Sequence, residues 1–267
     1  MICNIFKIIK IKKEILFMYY VTRSKAILRA AGVAVFAAMF CVGCYDLGLE
    51  PTPHAAPATT FVDVRDGHVY KKVTIGDQIW MAENLNYAAD GSACYKNATT
   101  GQEYCDRYGR LYDWNTAMDY VSSSNSDPSG VEGVCPVGWH LPSDAEWIKL
   151  IHFLGDNAGT KLKSTTFRRD DPSNPTPVGR DNEHFEALAG GLGSLLSTSF
   201  FPNNTDENGE KPPYFWDIGR AGYWWTATEY DIDSHQAWLR SLMDFSTGVL
   251  DIQLDKHYMM SVRCVQD

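Results

Sequence analysis

Three groups of side chains in this 267-residue chain have the types and spacing to do chemistry. The first is the aromatic run Tyr214, Phe215, Trp216, Tyr223, Trp224 and Trp225. Flat rings with polar edges beside them grip sugars and polymers. Strand alternation would bury one of Trp224/Trp225 and present the other, with Tyr223, as a stacking face; the competing reading is that these rings fill a core. The second group is "EYDID", where Glu229, Asp231 and Asp233 occupy alternate positions. Carboxylate oxygens so spaced suit Ca²⁺, and Glu229 would add polar contacts to a sugar, although a solvated acidic loop is the plainer reading. The third is Cys94, Cys105, Cys135 and Cys264, the four cysteines beyond the N-terminal region. His140 has the chemistry of a metal ligand or acid, but a hydrogen-bonded, partly buried histidine is the commoner state. Isolated carboxylates such as Glu83 and Asp106 could pair, yet the chain has 33 acidic residues, enough for chance pairs.

The N-terminus decides how the cysteines are read. Residues 1–44 hold seven Lys/Arg and one Glu, while the rest of the chain carries a net charge of −15. Arg23 and Lys25 precede a small, apolar run from Ala30 to Val42, the layout of an export signal. It ends in Cys41-Val42-Gly43-Cys44, which resembles the lipobox of bacterial lipoproteins, with Cys44 as the lipidated residue and Cys41 where Leu is usual. Met18 is the expected start of the signal. Residues 45–60 carry three prolines and read as a tether. Four cysteines in an exported domain imply two disulfides, with three pairings open. Cys94–Cys105 is favoured because it closes the short loop "CYKNATTGQEYC", which leaves Cys135–Cys264 to join the segment before "GWHLPSDAEW" to the last strand. Without C-x-x-C spacing a zinc site is disfavoured. The acidic body excludes nucleic acid as a partner, because phosphates need a basic surface.

The elements that must position these groups follow from periodicity. Val73 and Ile75 alternate, Gly76-Asp77 turns the chain and Ile79 resumes, which predicts a hairpin. Trp114, Met118 and Val121 share one helix face, so a first helix is expected near 115–122. Ser143 and Glu146 form a capping box, Trp147, Leu150, Ile151 and Leu154 make an apolar stripe, and Gly155 ends it, giving a second helix over 144–154. Residues 156–184 look like a long surface excursion. "FEALAGGLGS" lacks the flanking strand, helix and Lys of a phosphate loop and reads as tight turning. Alternation at Leu250, Ile252 and Leu254, then at Tyr258, Met260, Val262 and Cys264, predicts a β-meander. The order of elements points to a single α+β domain over 61–267.

"TIGDQIWMAENL", "YGRLYDW", "CPVGWHLPSDAEW", "FEALAGG", "GYWWTATEYD" and "SVRCV", in this order, closely resemble the Fibrobacter succinogenes major paralogous domain, found on exported and lipid-anchored bacterial proteins. More remotely, "HLPSDAEW" with "VRCV" is similar to the formylglycine-generating, sulfatase-modifying family. That resemblance implies a C-type-lectin-like α+β fold, two helices with an antiparallel sheet, long loops and a disulfide from the second-helix region to the last strand. It also implies a catalytic cysteine pair, but here all four cysteines have structural duties. No nucleophile elbow or H-E-x-x-H is present. The expected function is therefore a cell-surface, membrane-anchored binding or adhesion module for polysaccharide or a surface protein. The alternatives are an enzyme related to the formylglycine generators and a purely structural envelope protein.

Overall fold

The structure is a computed structural model and describes residues 59–97, 100–167, 179–194 and 214–267. Cys44, the leader and most of the tether lie outside the described residues. Among the described residues no helix is long and apolar enough to cross a membrane.

Three antiparallel sheets share the domain. The first orders β1 (Thr59–Val62), β2 (Val69–Ile75), β3 (Gln78–Met81), β12 (Val265–Gln266) and β5 (Trp139–His140). The second orders β4 (Tyr112–Asp113), β11 (Tyr258–Met260), β6 (Leu192–Ser194) and β7 (Tyr214–Trp216). The third orders β10 (Leu250–Asp255), β9 (Gln236–Met243) and β8 (Ala221–Glu229). Four helices are seen among the described residues: α1 (Cys105–Tyr108), α2 (Trp114–Met118), α3 (Asp144–Leu154) and α4 (Ala158–Leu162).

Several elements form where local chemistry directs them. The β2–β3 hairpin closes at Gly76, whose φ of +62° suits a residue without Cβ. In α3 the Glu146 carboxylate accepts from the Ser143 N–H at 2.9 Å while Ser143 Oγ accepts from the Glu146 N–H at 3.2 Å. Gly155, at φ +64°, stops the helix. Both disulfides are present as Cys94–Cys105 and Cys135–Cys264.

Elsewhere the expectations need correction. α2 ends at Met118 instead of running to 122, because Asp119 and Tyr120 turn left-handed at φ +49° and +60°. Val121, expected on its apolar face, is exposed. Within 156–184, α4 and Phe167 are packed into a core, and Leu162 and Lys163 are buried beside them, so the described part of that stretch is not a surface excursion. The meander covers β8 to β10 only: β11 crosses to the second sheet and β12 to the first, where Val265 pairs with both Trp80 and His140.

The apolar interior divides into two large clusters and a small one. Tyr223 and Trp225 belong to the first large cluster and Trp224 to the second, so β8 is covered on both faces. Alternation along β8 holds, but each face meets a core and neither meets solvent. Trp224 is 1 % exposed and Trp225 is fully buried, which overturns the expectation that one of the pair is presented to a ligand.

Candidate functional site

The site is built on Asn84, in the segment that leaves β3. Its Nδ2 donates to the Tyr108 carbonyl at 2.8 Å and to Ser261 Oγ at 3.2 Å. Its Oδ1 accepts from Trp224 Nε1 at 2.8 Å and from Arg263 Nε and Nη2 at 3.1 and 2.8 Å. Arg263 also donates from Nη1 to the Phe185 carbonyl, and its guanidinium lies 4.3 Å from the centre of the Phe185 ring. Every hydrogen-bond partner of Arg263 here is a neutral group. Burial pushes the Arg263 guanidinium down to about 9 against the pull of Asp181, Glu83 and Glu186, so it stays charged at neutral pH. Gly109 closes against this hub, because a Cβ there would sit 2.8 Å from the Asn84 Cβ and from the Leu85 carbonyl oxygen.

Above the hub lies a cleft of about 470 Å³, part of it open to solvent. Its lining includes Glu83, Asn84 and Asn86 from the segment after β3, and Asp106 and Arg107 from α1. His68, Glu186 and Arg263 complete the polar wall. The Cys94–Cys105 disulfide anchors α1 at the cleft edge. Lys71 bridges the outer carboxylates, 2.9 Å from Glu186 and 4.0 Å from Glu83. Asn86 Oδ1 is buried and has no hydrogen-bond partner among the described residues.

The sequence motifs meet here. "MAENL" supplies Glu83 and Asn84, "YGR" supplies Tyr108 and Gly109, "FEALAGG" supplies Phe185 and Glu186, "GYWW" supplies Trp224, and "SVRCV" supplies Ser261 and Arg263. The remaining motif reaches the same place through Trp147, whose ring centre is 6.0 Å from that of Phe185 and 6.3 Å from that of Trp224. Glu83 and Asp106, singled out as isolated acids, both line the cleft. Asn84, Glu186 and Arg263 drew no attention in the sequence as chemical groups; their membership of the motifs was the available signal.

Tyr223, Trp224 and Trp225 are not gathered into a platform. Their polar atoms are used internally: Tyr223 OH donates to Asp217 at 2.9 Å, Trp224 Nε1 to Asn84, and Trp225 Nε1 to the Tyr112 carbonyl at 2.9 Å. Glu229, at the end of β8, is ion-paired with Lys256, and Asp233 accepts from the His235 N–H at 3.0 Å. Asp231 is exposed. These three acids do not form a Ca²⁺ cage, and among the described residues no group of three or more His, Cys, Asp or Glu is placed to hold a metal ion. His140 is buried and bonded at both nitrogens, 2.7 Å from Glu146 Oε1 and 2.7 Å from Asp267 Oδ1. Burial lowers its pKa, but the bonds and charges of Glu146 and then Asp267 outweigh this and hold it above its ordinary value.

Fold and site together define a disulfide-tied α+β domain with a polar cleft over a buried Asn–Arg hub. Residues 73–266 match the Fibrobacter succinogenes major domain, and the chain belongs to that family. No curated protein and no solved structure matches the chain.

Proposed function

We propose that the protein is an exported binding module, lipid-anchored at Cys44 in the cell envelope, that recognises polysaccharide through the cleft above Asn84. The observation that carries this reading is the convergence of the motif segments on one polar cleft. The finer fold reading is a C-type-lectin-like domain. Its support is the Cys135–Cys264 bond, which spans 129 residues and ties the chain just before β5 and α3 to the start of β12.

The intact protein should sediment with insoluble polysaccharide, or score on a glycan array, above a matched acidic control protein. Failure on both formats would refute the binding reading. Metabolic labelling with a clickable fatty acid should mark the wild type and not Cys44→Ala, and equal labelling would refute the anchor.

A further inference from the structure

Away from the cleft, three ionisable side chains stand in a row. His140, on the edge strand β5, is buried, with Nε2 2.7 Å from Glu146 Oε1 in α3 and Nδ1 2.7 Å from Oδ1 of Asp267, just past β12. An ionised carboxylate only accepts, and a neutral imidazole has a single N–H to give. The two bonds together therefore need one proton beyond a neutral ring and two ionised acids. Whether that proton rests on the ring or on a carboxyl, its loss breaks one of the two bonds. The surroundings decide which. Glu146 is closed in: its Oε2 accepts from the Ser143 and Ser129 N–H groups at 2.9 and 3.1 Å, and its side chain is 2 % exposed. The Asp267 side chain is 61 % exposed, so water can replace the ring as its partner. The other groups packed around the ring do not compete for it. β3 brings the neutral Gln78, which donates to the Glu146 carbonyl at 3.1 Å, and Trp80. Lys72 of β2 donates to Gln266 at 3.0 Å, Lys149 of α3 is paired with Asp77 and Asp127, and Asp144 of α3 is paired with Arg240.

We infer that Glu146, His140 and Asp267 form a proton-operated latch that straps the end of β12 to β5, closed by one bound proton and opened when that proton leaves. On opening, the ring keeps its Nε2 proton against Glu146 and turns an Nδ1 lone pair toward the Asp267 carboxylate. The two repel, and Asp267 swings into water. The moving part is short. Cys264 stays fixed by its bond to Cys135, and Val265 is buried between Trp80 and His140. What loosens is Gln266 and Asp267, whose own N–H bonds the Gly138 carbonyl at 3.0 Å. Among the described residues β12 is the only strand beside β5, so the latch closes that edge of the first sheet. Burial works against a charged ring, yet the bonds and charges of Glu146 and then Asp267 hold the His140 pKa above its ordinary 6.5. The latch is therefore shut below pH 6.5 and opens as pH rises through the raised value. It stands independently of the polysaccharide-binding reading.

The test is NMR on the intact protein, reading the His140 ring nitrogens and the solvent exchange of the Asp267 amide from below pH 6.5 to well above it. The ring signals are assigned by their loss in His140→Gln. In the wild type, His140 should still carry both N–H groups at pH 6.5 and lose one at higher pH. Across that titration the Asp267 amide should lose protection, corrected for the base catalysis common to all amides, by about tenfold per pH unit. Asp267→Asn is the decisive variant. Its carboxamide can accept from a charged ring or donate to a neutral one, so the strap should stay shut while His140 titrates at lower pH and the step in exchange disappears. Asp267 lies at the surface, so this variant keeps the test open should His140→Gln fail to fold. A wild-type ring that titrates at or below pH 6.5, an Asp267 amide whose corrected exchange ignores the titration, or a ring in Asp267→Asn that titrates as in the wild type would each overturn the inference.

Discussion

Replacing Asn84 with Ala should test the hub more severely than any other single change. The side chain makes five hydrogen bonds, two donated and three accepted, all within the interior. Alanine would take the acceptor from the Trp224 indole N–H and two guanidinium N–H groups and one donor from the Tyr108 carbonyl, while Ser261 can rotate its hydroxyl. Each stranded buried group costs about 1–3 kcal/mol. Their plain sum would approach the whole stability of an ordinary domain, about 5–15 kcal/mol. Because the bonds share atoms and water can enter from the cleft, the expected net loss is about 3–5 kcal/mol, the range for stripping the partner from a buried charge. Asn84→Asp keeps the acceptor for Trp224 and Arg263 and loses only the two donated bonds, so it should cost less. Urea unfolding followed by far-ultraviolet circular dichroism, with both disulfides oxidised, would measure both. A loss below about 1 kcal/mol in Asn84→Ala, or a larger loss in Asn84→Asp than in Asn84→Ala, would refute the reasoning.

Trp224→Ala and Trp225→Ala should each lose about 3–5 kcal/mol of stability, as buried aromatics do; a variant that melts like the wild type yet no longer binds glycan would restore the platform reading. Gly109→Ala combines a φ of +73° with a Cβ 2.8 Å from its neighbours, and a loss of about 1–3 kcal/mol is expected; an unchanged melting temperature would contradict the close approach. His140 is held above its ordinary value of 6.5, so the folded state binds the proton more tightly than the unfolded chain. The stabilisation it gives is complete below pH 6.5 and is lost as pH rises through the raised value. Wild-type stability should therefore carry a downward component above that pH which His140→Gln lacks, and identical pH profiles would refute the pairing.

What the sequence made legible was local. The capping box of α3, the Gly76 turn and the short Cys94–Cys105 loop are each written within a few residues, and they form as read. The early end of α2 was not legible, because helical spacing continues to Val121 while the backbone turns left-handed at Asp119 and Tyr120. Alternation told correctly that Trp224 and Trp225 face opposite ways, but period alone cannot say whether one face or both are covered. The cleft was least legible of all. Asn84 and Arg263 stand 179 residues apart, and no local pattern announces that an amide and a guanidinium will meet. The motifs marked both residues without giving either a partner.

The first sheet also has a mechanical consequence. On the anchored reading, tension from a cell-surface tether enters at β1, an edge strand held by four register pairs to β2 alone. Just beyond β1, Arg65 is bonded to Asp63 at 2.7 Å and grips the carbonyls of Val134 and Cys135 at 2.9 and 3.1 Å. Cys135 is bonded covalently to Cys264, immediately before the inner strand β12. A pull that peels β1 away is thus handed to a covalent staple within the same sheet, before either of the other two sheets is stretched. A domain wired in this way can give up its first strand as slack while the disulfide keeps the rest of the sheet together.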